Sequence, residues 1–132
     1  MHYAVSTAVI LASILSLASL PVLAAENPYT QLAGSYHGEV YNGSDLDPVV
    51  TTFVLAPSGR LAGEYVVGEE NGEYSGHLSN VVFEDAHTIT LEWTDKFGEG
   101  FAVMEFADDF KSFAGEWSGK DGANPLPWNG KK

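Results

Sequence analysis

Leu61-Ala62-Gly63-Glu64-Tyr65 states a pattern that the chain repeats: large apolar, small, glycine, polar, large. Leu32-Ala33-Gly34-Ser35-Tyr36, Tyr74-Ser75-Gly76-His77-Leu78 and Phe113-Ala114-Gly115-Glu116-Trp117 are further copies. Side chains alternate between faces along a strand, so the first, third and fifth residues of each copy share one side. Each copy therefore sets a glycine gap between two large side chains. Such a gap lets a neighbouring aromatic ring lie over bare backbone, and it lets the strand coil sharply. The pattern speaks about architecture and is silent on chemistry.

The rest of the chain continues in the same grammar. Gly34 to Tyr41 reads as a first strand, Asn42 to Pro48 as a loop, and the β-branched stretch Val49 to Ala56 as a second strand. Pro57-Ser58-Gly59 is a tight turn before a third strand, Leu61 to Val67, and Asn71-Gly72 carries a strong hairpin signal. A fourth strand starts at Glu73, runs to about Ser79, and continues or restarts at Val81-Val82-Phe83. His87 to Thr94 alternates cleanly, with Ile89, Leu91 and Trp93 on one face. A glycine-bearing loop from Asp95 to Gly100 precedes a sixth strand, Phe101 to Phe106, and a seventh spans Ser112 to Ser118. Only a short turn of helix near Tyr29-Thr30-Gln31-Leu32 is expected.

Strands joined by short hairpins predict an all-β antiparallel up-and-down meander, and closure into a small barrel of seven or eight strands removes its exposed edges. A β-sandwich is the alternative. From about residue 119 the two prolines of Pro125-Leu126-Pro127-Trp128 argue against a regular strand, so an irregular tail is expected, either packed across the barrel or frayed.

Tyr3 to Ala25 has no charged residue and ends in small residues, so residues 1–24 read as a signal peptide cut after Ala24, or after Ala25. An uncleaved membrane helix is the competing reading. Residues 25–132 would then be one secreted or periplasmic domain, free of the membrane after cleavage. The 132-residue chain has no Cys, so neither disulfides nor thiolate metal sites support it, and the apolar core must hold the fold. A formal net charge of −12 with six Lys and Arg argues against nucleic acid and anionic membrane surfaces as partners.

The glycine-aromatic strands, Trp93-Thr94-Asp95-Lys96-Phe97-Gly98, and Phe113-Ala114-Gly115-Glu116-Trp117 with Trp128-Asn129-Gly130-Lys131 resemble small secreted bacterial β-proteins of unassigned function. A fainter likeness is to the avidins and lipocalins, whose barrels open on a Gly-x-Trp or Gly-x-Tyr strand. The polar residues of a biotin site are not recognisable here, and the later tryptophans are spaced differently. The resemblance implies a barrel and carries over no ligand contact.

Neither a nucleophile elbow, a phosphate loop nor a His-Glu-x-x-His pair occurs. Asp45-Leu46-Asp47 and Asp108-Asp109 do not continue into a calcium loop, and solvated acidic turns explain them. No cofactor, resident metal or catalytic residue is expected. His37, Glu39, Tyr41, Glu64, His77, Glu92 and Glu116 share the face opposite the aromatics. Wound inward, that face would make His37, Glu64, His77 and Glu92 a cup for a ligand, a metal or acid–base chemistry. Wound outward, it is the wet side of a sheet, which avoids burying several carboxylates. Val50, Val54, Val66, Ala102, Met104 and Phe106 fall on the same face by alternation and need a cover: the tail, the N-terminal lead-in, or another molecule, such as a second copy in a homodimer through Val50, Val66, Met104 and Phe106. The expected role is a non-catalytic binding or structural module with a small ligand or protein partner. A small barrel enzyme or metal-binding protein is the alternative.

Overall fold

Eight antiparallel strands, each hydrogen-bonded to its neighbour in sequence, close into a ring when the last pairs with the first. The computed structural model describes residues 28–68 and 73–132. The strands are β1 (Gly34–Tyr41), β2 (Leu46–Leu55), β3 (Leu61–Val67), β4 (Tyr74–Phe83), β5 (Thr88–Asp95), β6 (Gly98–Phe106), β7 (Ser112–Gly119) and β8 (Leu126–Lys131). Among the described residues one short helix, α1 (Pro28–Leu32), precedes them. The chain is thus an all-β meander barrel, and the sandwich alternative falls. Among the described residues no helix is long and apolar enough to cross a membrane. The expected signal peptide and the Asn71-Gly72 turn lie outside the described residues.

All four copies of the repeated pattern point inward. Leu32, Tyr36, Leu61, Tyr65, Leu78 and Phe113 are buried, while Tyr74 and Trp117 are partly so. The glycine gaps are filled by neighbours: a Cβ at Gly76 would overlap the Tyr65 ring, and one at Gly63 would sit 2.9 Å from the Thr52 carbonyl oxygen.

Three expectations are corrected. The tail is not irregular: Leu126–Lys131 is the closing strand, pairing with both β1 and β7. Pro125 precedes it. Pro127 sits beyond Val40↔Trp128, the last pair of the ladder to β1, and is paired with Glu116 on β7. The apolar faces of β6 were assigned in reverse. Ile89 pairs with Met104, Leu91 with Ala102 and Trp93 with Gly100, and directly opposed residues share a face. Ala102, Met104 and Phe106 are therefore buried at 2%, 0% and 3% exposure, and Phe101 and Val103 face out. The surface patch keeps Val50, Val54 and Val66 and loses Met104 and Phe106. The loop expected from Asp95 to Gly100 shrinks to Lys96-Phe97, because Gly98 already pairs with Asp95.

β4 is continuous but carries one extra residue. Its register to β5 shifts between Ser79 and Val82, with Asn80 at φ 51°. Asparagine tolerates that left-handed conformation, and the bulge lets both Leu78 and Val81 face inward.

The two ends of the barrel differ. At one end α1 and Phe110 close the interior over Tyr36, Phe53, Phe106 and Phe113. The rings of Tyr36, Phe106 and Phe113 are packed with centroids 5.4–5.5 Å apart. The Tyr36 hydroxyl lies 2.7 Å from the Leu32 carbonyl oxygen and 2.9 Å from that of Phe110, tying helix and β6–β7 turn to the floor. The opposite end holds the β1–β2, β5–β6 and β7–β8 connections and, among the described residues, is open.

Candidate functional site: the open end of the barrel

The open end encloses a cup of about 410 Å³, within the range of small-molecule sites. Its walls are the inward residues at the upper ends of the strands. Trp93, Trp117 and Trp128, the only tryptophans of the chain, all line it. Tyr65 and Tyr74 add two more ring faces, Val40 and Val67 fill between them, and Phe97 stands at the rim with 73% exposure. Asn42, Asp47, Glu73, Asp95 and Lys96 supply the polar lining.

Each indole is held by its N–H. Trp93 donates to the Ser118 carbonyl at 2.9 Å, Trp117 to the Tyr41 carbonyl at 2.9 Å, and Trp128 to the hydroxyl of buried Thr51 at 3.1 Å. The rings pack edge to face, Trp93 on Trp117 at 5.4 Å and Tyr65 on Trp128 at 5.1 Å between centroids. This geometry is favourable for aromatic pairs, and it fixes the rings without help from a ligand. With the N–H groups engaged, the tryptophans offer the cup their π surfaces.

The polar groups are likewise anchored. The Tyr65 hydroxyl donates to Asp95 Oδ2 at 2.6 Å, and the Phe97 amide donates to Asp95 Oδ1 at 2.8 Å. Burial lifts the Tyr65 hydroxyl far above the ordinary tyrosine range; the bond to Asp95 and that carboxylate's charge add to it. Tyr65 is therefore a fixed neutral donor whose proton belongs to Asp95. Asn42 folds the β1–β2 loop, its Oδ1 accepting from the Ser44 and Asp45 amides at 2.8 Å each, and its Nδ2 donates to Asp47 Oδ2 at 3.0 Å. Tyr74 also holds its proton above the ordinary range, through burial first and then the charges of Asp95, Asp47 and Glu73. Lys96 lies over the rim rings, its Nζ 5.0 Å from the Phe97 centroid and 5.7 Å from that of Tyr74.

The residues singled out by sequence lie elsewhere. His37, Glu64 and His77 are exposed and Glu92 is half-buried, all on the outer face. Glu64 and His77 are cross-strand neighbours on β3 and β4. Glu92 on β5 accepts a hydrogen bond from Asn80, and His37 on β1 pairs with Val50. These four side chains form no inward cup, because the face that carries them is turned to solvent. Among the described residues no group of three or more His, Cys, Asp or Glu is placed to hold a metal ion.

The sequence places Trp93 and Trp117 in the core, Trp128 in an irregular tail and Phe97 in a loop, and so does not show the cavity. The signal was their sorting along the barrel axis. All three tryptophans gather at the open end, and Phe53, Phe106, Phe110 and Phe113 gather at the other, although Tyr36 packs among those phenylalanines and Phe97 stands at the open rim.

Fold and site together define a meander barrel sealed at one end, with an aromatic cup at the other. The chain matches no protein-family model, no curated protein and no solved structure.

Proposed function

We propose that this protein is a non-catalytic carrier that takes a small, largely apolar ligand into the open end of its barrel. The observation that carries the reading is the rigid set of three tryptophan rings around a 410 Å³ cup whose opposite end is closed by α1. Apolar walls with a few placed polar groups are what a small-molecule site needs. The polar groups here are a tyrosine held protonated, carboxylates and an amide, which suit orientation of a ligand. The uncharged N-terminal run and the small residues up to Ala24 support a place of action outside the cytoplasm, secreted or periplasmic.

Since every tryptophan lines the cup, intrinsic fluorescence reports occupancy directly. Titration with phenylnaphthylamine, an apolar fluorophore of suitable size, should quench the tryptophans and brighten the probe by energy transfer. Trp117→Ala should weaken that binding at least tenfold. Absence of any saturable response from the wild-type protein would overturn the carrier reading.

A further inference from the structure

The cup is rich in acceptors, and most of its donors other than the Tyr74 hydroxyl and the Lys96 ammonium are engaged. All three indole N–H groups are bound to protein acceptors, the Tyr65 hydroxyl donates to Asp95, and the Asn42 amide donates to Asp47. The carboxylates keep spare accepting capacity, since an ionised carboxylate has about four lone-pair sites and the bonds described use one site on each oxygen of Asp95. A ligand entering here finds π faces and carboxylate oxygens.

Charge runs the same way. Among the described residues the lining carries Asp47, Glu73 and Asp95 against Lys96, three formal negative charges to one positive. Burial first, and then the charges of all three carboxylates, hold the Tyr74 proton above the ordinary range. The rim rings already engage a cation, because the chain's own Lys96 ammonium lies over Phe97 and Tyr74 within the distance at which ring quadrupoles attract positive charge. Asp95 stands beneath this rim, bonded to Tyr65 and carrying the turn that bears Lys96 and Phe97.

We propose that the ligand is an organic cation with an apolar or aromatic body, such as a substituted ammonium. Its body would lie among Trp93, Trp117 and Trp128, and its charge between Asp95 and the ring faces of Tyr65 and Tyr74. Lys96 is then a tethered rival for the rim rings, displaced when the ligand enters. This assignment rests on the carrier reading and adds the sign of the ligand's charge to it.

Three near-isosteric probes test the two separately: benzyltrimethylammonium, its uncharged carbon analogue neopentylbenzene, and benzylsulfonate. Each is titrated into the full chain with tryptophan fluorescence as readout. The cation should bind at least tenfold more tightly than the sulfonate, and added salt should weaken it while leaving the neutral probe unchanged. Asp95→Asn removes the charge, with its oxygen left to accept from the Phe97 amide and its NH2 to donate to the Tyr65 hydroxyl, and it should weaken the cation about tenfold more than it weakens neopentylbenzene. Lys96→Gln, at an exposed position, should tighten the cation and leave the neutral probe as it was. If the three probes bind alike, or the sulfonate binds best, the charge assignment falls and the carrier reading stands. If none binds, both fall.

Discussion

The ring of Tyr65 lies against the bare backbone of Gly76, its cross-strand partner, so closely that a single added methyl at Gly76 would overlap the ring and its hydroxyl. The repeated pattern therefore serves the site as well as the fold. The third position of one copy makes room for the fifth position of another, and that fifth residue holds Asp95.

Gly76→Ala should push the Tyr65 ring toward the cup and break its bond to Asp95. Forcing volume into a packed site costs about 1–3 kcal/mol, and denaturant unfolding should show a loss in that range. The Tyr65 ring touches Trp128, so the near-ultraviolet dichroism of the native state should change as well. Unchanged stability with an unchanged spectrum would show that the ring does not depend on the gap.

The barrel was legible because its rule is local. Leu61, Gly63 and Tyr65 announce one inward face within five residues, and the same rule held at three other places. Two features depended on partners that a single strand does not name. The face of β6 is set by register against Ile89, Leu91 and Trp93. The strand character of Leu126–Lys131 is set by β1 and β7 on its two sides, against a local preference weakened by Pro125 and Pro127. The cup was hidden for a third reason. A ring lining a cavity and a ring filling a core obey the same alternation, and only position along the barrel axis separates Trp117 from Phe113.

Alkaline pH should unfold the protein through its buried tyrosines. Burial raises the ionisation of Tyr36 far above the ordinary tyrosine range, and burial with the Asp95 bond does the same for Tyr65. The folded state therefore keeps protons that the unfolded chain releases above about pH 10. Stability from these groups is complete below that value. It falls as pH rises beyond it, by about 1.4 kcal/mol per pH unit for each tyrosine. Tyrosinate absorbance should show these residues ionising together with loss of the fold. Early, independent ionisation of all tyrosines while the near-ultraviolet signal persists would contradict their burial.

Truncation after Gly119 should abolish the folded state. It removes the strand that joins β7 to β1, together with Trp128 and its bond to Thr51. Two strand edges would be left open, and open edges pair with other chains. The truncated chain should lose cooperative unfolding and self-associate on size exclusion. A monomeric truncated form with full stability would mean that β8 is dispensable, contrary to the closed ladder.

Phe106 and Val66 separate the inner face from the outer. Phe106 is buried among Tyr36, Phe53, Phe110 and Phe113, with ring centroids 5.4–6.2 Å away. Phe106→Ala empties part of the closed end and should cost about 3–5 kcal/mol in denaturant unfolding. Val66 is 39% exposed on β3, and its cross-strand neighbours there are Val50 and Ser75. Val66→Thr keeps the β-branch and should change the stability of the monomer by no more than about 0.5 kcal/mol. If Val50 and Val66 instead bury each other across a homodimer, the full-length protein elutes as a dimer that dissociates on dilution, and Val66→Thr shifts that equilibrium toward monomer. Phe106→Ala lowers stability in either case, because the side chain is interior in monomer and dimer alike. A small effect of Phe106→Ala beside a large effect of Val66→Thr on the monomer would mean that the two faces of the sheet had been exchanged.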